Sequence, residues 1–317
     1  MTHSRHTYRH TRTHNKKAME TSVIHDGCYT FRRFQLPDAG VMEDTLAATF
    51  VITMAGSTER QSAIKGQLFE RLHLTRTIYM VENAGFRNCA KPDLCEQTSN
   101  YDILHANIAI FEFAEAAYPG QIIAVMEDDM LWTAEAVHTP KHWAHITQFV
   151  HNHTDTMDHY MVGAMVIPCC MTPVLYDLRH IHTLFATCGQ LVIHTPRGMS
   201  KVRVGYRSVD RCKWHTWQHV DIIFSTHTTY TYYRPLAIQV VEATENSRIW
   251  QTWYLRFVIT LYGLDRIETA ERGWDQARTT SIIISILVML IATYVVLGGL
   301  AFAARRIACA LPHCGTF

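Results

Sequence analysis

The sequence lacks several features that would assign it at once to a common class of protein. Its 20 histidines and 9 cysteines include no CxxC pair and no spaced zinc-binding motif. Lysine and arginine nearly balance aspartate and glutamate, so the formal net charge of +1 creates no field that attracts nucleic acid or an anionic membrane surface. We find no internal repeat, and a hydrophobic content of 48% excludes disorder for most of the chain.

An apolar run is also missing from the N-terminal arm, residues 1–22. Signal peptides need such a run, so we do not expect the arm to be one. Its abundance of His, Arg and Thr predicts a disordered arm. The odd number of cysteines argues against a fully paired disulfide framework, and it favours a reducing compartment.

A long uncharged run near the C-terminus is the strongest single signal. Residues 279–304 contain no charged side chain, and Arg278 precedes them while Arg305 and Arg306 follow. As a helix rising ~1.5 Å per residue, this run exceeds the ~30 Å hydrocarbon layer of a bilayer. We therefore predict one transmembrane helix over residues 279–304 with a short tail, residues 305–317. Such a position is typical of a tail anchor in an endomembrane with a cytosolic head, although arginines on both sides leave the orientation open.

Short apolar runs alternate with helical patterns over residues 49–239, which predicts an α/β fold with a mixed, mostly parallel sheet. Strands are predicted at residues 49–54, 77–81, 121–126, 159–168, 191–194, 220–224 and 229–233. Helices are predicted after the first strand, before residue 119 and over residues 140–151. The folded head covers residues 23–245 and a connector covers residues 246–278. The connector contains an amphipathic helix, residues 249–264, which either packs on the head or lies at the membrane interface.

Three consecutive acids, Glu127, Asp128 and Asp129, directly follow the predicted strand 121–126. In open α/β sheets, ligands bind outside the carboxyl ends of the strands. Adjacent carboxylates repel one another unless a cation or hydrogen-bond donors neutralise them. Hard divalent ions take such oxygen ligands and also bridge phosphate oxygens. The triplet therefore has two interpretations, a divalent-cation site or an acidic turn that caps the next helix.

The order of several short motifs resembles glycosyltransferase family 25, which includes lipopolysaccharide and collagen galactosyltransferases. The motifs are TFVITM with STER after it at residues 57–60, a helix with His105, the strand with the acid triplet, DHYMV at 158–162, HVDII at 219–223 and YRPLAIQ at 233–239. The resemblance covers residues 49–239. The Gly-Cys that usually precedes the family's Ser-His pair is absent, and ATCG at 186–189 stands where the family has a Gly-Thr.

The resemblance implies a GT-A fold that binds a nucleotide sugar, with Mn²⁺ or Mg²⁺ as cofactor and a UDP-sugar as donor. It implies that Glu127 and Asp129 hold the metal, and that Arg60, Glu127 and Asp128 lie at the donor. Family members invert the anomeric centre, which requires a base for the proton of the acceptor hydroxyl. Asp221, in the family's acidic element, is the candidate base. The acceptor would be a glycan, a lipid or a protein.

Two other functions stay open from the sequence. The first is a non-catalytic receptor or surface protein with a degenerate transferase-like head. The second is a metal-dependent phosphate-ester hydrolase. Carboxylates with a divalent ion serve hydrolysis as well as transfer. Hydrolases usually collect acids and histidines from several strand ends, whereas the sequence offers only the triplet and Asp221.

Overall fold

The computed structural model describes residues 18–163, 165–166, 171–184, 186–187, 189–208, 220–240 and 253–310. Most of the predicted arm, the end of the tail and residues 241–252 lie outside this part of the chain. The described head is an α/β fold with a mixed sheet, and one long apolar helix follows it. At this level the predicted fold class is confirmed.

A mixed sheet of ten strands runs through the described head. Including four strands outside this sheet, the described strands are, in chain order, β1 Met19–Asp26, β2 Tyr29–Gln35, β3 Leu46–Met54, β4 Thr77–Asn83, β5 Ile122–Glu127, β6 Met130–Trp132, β7 His159–Met161, β8 Met165–Val166, β9 Met171–Pro173, β10 His180–Thr183, β11 Ala186–Thr187, β12 Leu191–His194, β13 Thr229–Tyr232 and β14 Ala237–Gln239. The spatial order is β1-β2-β4-β3-β5-β12-β7-β13-β10-β9. β3 is parallel to β4 and β5, and β7 is parallel to β13, whereas the other neighbours are antiparallel. Two small ladders, β14 with β6 and β11 with β8, lie beside this sheet.

Helices cover both faces of the sheet. They are α1 Thr58–Gly66, α2 Ser99–Ala117, α3 Ala134–His138, α4 Pro140–His153, α5 Pro196–Arg207, α6 Val220–Ser225, α7 Trp253–Tyr262 and α8 Ile267–Ala310. A π-helical turn, Gln67–Arg71, extends α1. α4 and α5 begin with proline, which suits a first turn where no N–H donor is needed.

Alternating side chains of the central strands feed two separate hydrophobic clusters. Met126 of β5 points to the face that α1 and α4 cover, where it joins Ile64 and Trp143. Val125, the preceding residue, points to the other face, where it joins Phe111 of α2 and Val202 of α5. Burial on both faces explains why these strands read as continuous apolar runs in the sequence.

Two predicted strands differ in the structure. Residues 220–224 form α6, because a short apolar run has no periodicity that separates a strand from a buried helix. The predicted strand 159–168 is divided into two short strands, β7, which ends at Met161, and β8, Met165–Val166. At Gly163 the chain passes so close to Ala237 that an added Cβ would lie 2.0 Å from the Ala237 carbonyl oxygen. The hairpin β1–β2 was not predicted from the sequence, and β1 starts inside the predicted arm.

A disulfide bond joins Cys28, in the turn between β1 and β2, to Cys89. Cys95 is disulfide-bonded as well. Disulfides form and persist in oxidising compartments. The pairing disagrees with the reducing compartment that the odd cysteine count favoured. The predicted cytosolic orientation stays a prediction.

The C-terminal helix α8 has a docked part and a free part. Trp274 and Arg278 are buried against the head, and Trp274 Nε1 donates a hydrogen bond to the Gln239 carbonyl at 2.8 Å. Ser285 is the last buried residue of the helix within its described side chains. The stretch Ile267–Ala303 is long and apolar enough to cross a membrane by length and composition, with a mean hydropathy of 2.6 in its most apolar window. The predicted single anchor is thus supported as a candidate, and the last part of the predicted connector, from Ile267, is continuous with it as one helix.

α7 is the described part of the predicted amphipathic helix. Val258, Ile259 and Tyr262 pack with Trp274 of α8 in a small cluster, whereas Phe257 is exposed. This contact supports packing on the head rather than an interfacial position.

Candidate functional site

The acid triplet lies where two parallel strands of the sheet end. The ladder pairs Ile52 of β3 with Glu127 of β5, so the residues after Glu127 are level with the end of β3. α1 follows β3 directly and carries Arg60 to the same edge. Position and sequence together create a small polar site, which we call the acidic edge: Thr53, Arg60, Asp128, Asp129 and Gln239.

Asp128 is held on both of its carboxylate oxygens. Thr53 Oγ1 donates a hydrogen bond to Oδ2 at 2.7 Å, and Arg60 Nη1 donates one to Oδ1 at 3.3 Å. The residue is buried, with 8% of its surface exposed. Asp128 therefore ties β3, α1 and the end of β5 together, and its contacts are those of a positioning residue.

Asp129 is satisfied on one oxygen only. Gln239 Nε2 donates a hydrogen bond to Oδ2 at 2.5 Å, and Arg60 Nη1 lies 3.9 Å from the same oxygen. Oδ1 is buried and has no hydrogen-bond partner in the described part of the chain. Burial raises the pKa of Asp129, and the neighbouring Asp128 raises it further, while Arg60 and Gln239 act against both.

Gln239 is the contact that sequence analysis did not find. Gln239 is the last residue of the family-like motif YRPLAIQ, but nothing in the sequence shows that its side-chain amide contacts Asp129. Gln190 Nε2 donates a hydrogen bond to Gln239 Oε1 at 3.1 Å, which leaves the Gln239 amide nitrogen directed to the acid. Trp274 of α8 holds the backbone of the same residue. The acidic edge is thus in contact with the docked part of α8, the candidate anchor helix.

Glu127 does not join Asp128 on its face of the strand. It is the last residue of β5 and lines a small pocket between β5, β12, α2 and α6. Asn107 Oδ1 and His194 Nε2, on two residues that line this pocket, are buried and have no hydrogen-bond partner in the structure as described. Val220 also lines the pocket, so the helix that carries Asp221 borders it. The Asp221 side chain lies outside the described residues, and its assignment as a base stays a prediction.

A chain of three histidines runs from this pocket into the head. Nδ1 of His194 lies 2.9 Å from Nδ1 of His159, and Nε2 of His159 lies 3.1 Å from Nδ1 of His227. Burial lowers the pKa of His194 to about 3 and holds the pKa of His159 well below its usual range. The buried histidines are therefore neutral at physiological pH.

His105, which belongs to the family-like motifs of the sequence, makes its contact in another part of the head. Its Nδ1 lies 2.6 Å from the hydroxyl of Tyr29. Nearby, buried Lys91 makes an ion pair with Asp102 and donates a hydrogen bond to Asn83 Oδ1 at 2.6 Å. This network closes the end of β4, and its members are mutually satisfied.

Of the predicted site residues, the structure brings Arg60, Asp128 and Asp129 together. Glu127 lies at the adjacent pocket, and the role of Asp221 is untested. Comparison with known proteins adds no assignment, because no family model and no curated protein matches the chain.

Proposed function

We propose that the head is a divalent-cation-dependent glycosyltransferase that moves a sugar from a UDP-sugar to a glycan, lipid or protein acceptor. The proposal starts from the order of motifs over residues 49–239. The position of the acids at the carboxyl end of β5, beside the parallel strand β3, supports it, since this is where open α/β sheets bind ligands.

The observation that carries the proposal is the free oxygen of Asp129. A buried carboxylate oxygen without a donor costs free energy in the folded state, and the adjacent Asp128 adds repulsion. A divalent cation removes both costs at once. No group of three or more His, Cys, Asp or Glu with metal-binding spacing occurs in the described residues. An ion here would therefore take ligands from donor phosphates and water, as Mg²⁺ and Mn²⁺ sites in nucleotide enzymes do.

The residues of the chain have distinct tasks in this proposal. Asp129 binds the cation, and Asp128 fixes Arg60 beside it through their hydrogen bond. The bound cation would neutralise charge on the departing diphosphate. Glu127 and Asp221 belong to the acceptor side, where the pocket and α6 meet, and one of the two carboxylates takes the proton of the acceptor hydroxyl.

The test is a binding and turnover measurement on the full chain in detergent. UDP and a panel of UDP-sugars are added with and without Mn²⁺, and thermal shifts and UDP release are recorded. We expect stabilisation by one UDP-sugar only when Mn²⁺ is present, and its loss in Asp129→Asn. Asp155→Asn is the matched control, because Asp155 is exposed and precedes β7, at the end of the strands that lies away from the acid triplet.

Two other results would replace the proposal. Release of phosphate without sugar transfer would identify a hydrolase. Absence of nucleotide binding with Mn²⁺ present would favour the non-catalytic alternative. One observation supports that alternative: three of the four carboxylate oxygens of Asp128 and Asp129 already accept hydrogen bonds from Thr53, Arg60 and Gln239.

A further inference from the structure

The path of α8 across the head points to a second membrane contact. Along the helix, Arg278 Nη2 donates hydrogen bonds of 2.6 Å to Thr231 Oγ1 and to the Tyr232 carbonyl, both in β13. One turn later, Ile282 packs on Ile181 of β10. α8 also touches β9, the last strand of the sheet. The helix therefore crosses the strands one after another and leaves the head over the edge strand β9.

The level of the membrane follows from helix and sheet spacing. Adjacent strands lie ~4.8 Å apart, and three helical residues rise ~4.5 Å, so β9 is level with the residue three positions after Ile282. That residue is Ser285, the last buried side chain of α8 in the described range. From Ile286 to Ala303 the helix is exposed, apart from half-buried Met289. This free segment spans ~27 Å, close to the ~30 Å hydrocarbon layer, so no length remains to lift the head off the bilayer.

The hairpin at this edge carries exposed apolar side chains. We define the edge hairpin as β9, β10 and the turn between them, together with Leu184. Leu175 is 88% exposed, more than any other large apolar side chain among the described residues, and Tyr176, Leu178 and Leu184 are exposed as well. Three of them lie in the turn between β9 and β10, and Leu184 follows β10 at the other end of the hairpin. In water, exposed apolar side chains beside an edge strand invite aggregation, whereas leucine and tyrosine are favoured at a bilayer surface.

We propose that the edge hairpin lies in the interfacial layer of the bilayer that α8 crosses, and that it holds the head flat on the membrane. The occupant of this apolar surface is lipid, because β9 contacts α8 and lies level with the start of its exposed part. The contact is independent of any catalytic activity of the head.

The experiment uses the full chain in nanodiscs loaded at one protein per disc. An environment-sensitive fluorescent amino acid replaces Leu178, and nitroxide-labelled lipids with the label near the headgroup act as quenchers. The matched control has the same amino acid at Val204, an exposed apolar residue of α5. We expect blue-shifted, strongly quenched emission at position 178 and neither effect at position 204.

A second variant tests the geometry. Seven polar helix-forming residues inserted after Ser285 lengthen α8 by ~10 Å and lift the head from the bilayer. Quenching at position 178 should then disappear, while alkaline extraction still finds the protein in the membrane. Equal emission at positions 178 and 204 would overturn the proposal. Quenching that survives the insertion would overturn it too, because the contact would not depend on the docking of α8.

Discussion

Buried carboxylates at opposite ends of the central strands are neutralised in different ways. Asp158, at the start of β7, is fully buried and faces two cations, with Lys201 Nζ at 2.7 Å and Arg197 Nε at 3.1 Å. At the acidic edge, Arg60 is the one cation among the described residues that pairs with the two adjacent carboxylates, at 3.3 Å and 3.9 Å. A buried acid with two cationic partners stabilises the fold. Two adjacent acids that share one cation at the end of a strand indicate a ligand site.

The largest effect is expected from Asp158. Replacing it as Asp158→Asn removes the charge that pairs with Lys201 and weakens the acceptor of the Thr228 N–H, which donates at 2.9 Å. Because Asp158 is fully buried while Lys201 is 40% exposed, we expect a loss of ~3 kcal/mol of the free energy of unfolding, the low end for a broken buried pair. Thermal or urea denaturation in detergent would measure the loss. A change as small as that of the exposed control Asp155→Asn would show that Asp158 is not a stability element.

The opposite behaviour is expected of Asp129. Asp129→Asn keeps the acceptor of the Gln239 amide and removes one of two repelling charges, so the unfolding free energy should stay level or rise. Binding of Mn²⁺ with nucleotide should weaken about 100-fold, the ~2.7 kcal/mol typical of lost charge stabilisation at a reacting centre. Calorimetric titration and denaturation on one preparation give both values. Destabilisation of Asp129→Asn with unchanged Mn²⁺ binding would show that Asp129 stabilises the fold and does not bind the cation.

Acid should destabilise the histidine chain next to Asp158. Unfolded histidine has a pKa near 6.5, while burial lowers the folded pKa of His194 to about 3. The contribution of neutral His194 to stability is complete above pH 6.5 and is lost as the pH falls toward 3. Between these two pKa values, only the unfolded chain binds a proton at this histidine. Each buried histidine lowers the unfolding free energy by ~1.4 kcal/mol per pH unit in this window. Denaturation at pH 7.5, 6.0 and 5.0 measures the slope, which should be smaller in His194→Gln.

The smallest effect concerns Thr53. Thr53→Val keeps the shape of the side chain but removes the hydrogen bond to Asp128, which costs ~1 kcal/mol of stability. Mn²⁺ binding should fall less than in Asp129→Asn, since Arg60 still holds Asp128. A loss of binding as large as that of Asp129→Asn would make Asp128 a direct ligand rather than a positioning residue.

Much of the architecture was predictable from local pattern. The strand 191–194 was predicted with the bounds that the structure has, and the run 121–126 differs from β5 by one residue at each end. Such runs are apolar because helices bury both faces. Residues 220–224 show the limit, since five apolar-rich residues fit a strand and a helix equally well until neighbours decide.

At the candidate site, the acids were visible because three charges after an apolar strand are unusual in themselves. Their partners were not visible. Gln239 lies 110 residues from Asp129, and Thr53 lies 75 residues from Asp128. Glu127 ends β5 and lines the pocket, whereas Asp128 and Asp129 lie in the turn that follows the strand. The assignment of Glu127 and Asp129 as a metal pair stays a prediction.

The sequence by itself determined the α/β class, the acid triplet after β5 and the apolar C-terminal helix, because each follows from a pattern of neighbouring residues in the chain. Only the tertiary structure decided where that helix becomes free. Arg278, which marks the border of the apolar run in the sequence, is buried against β13, and the helix leaves the head at Ser285. Burial depends on which distant strands meet the helix, and no local pattern contains that information.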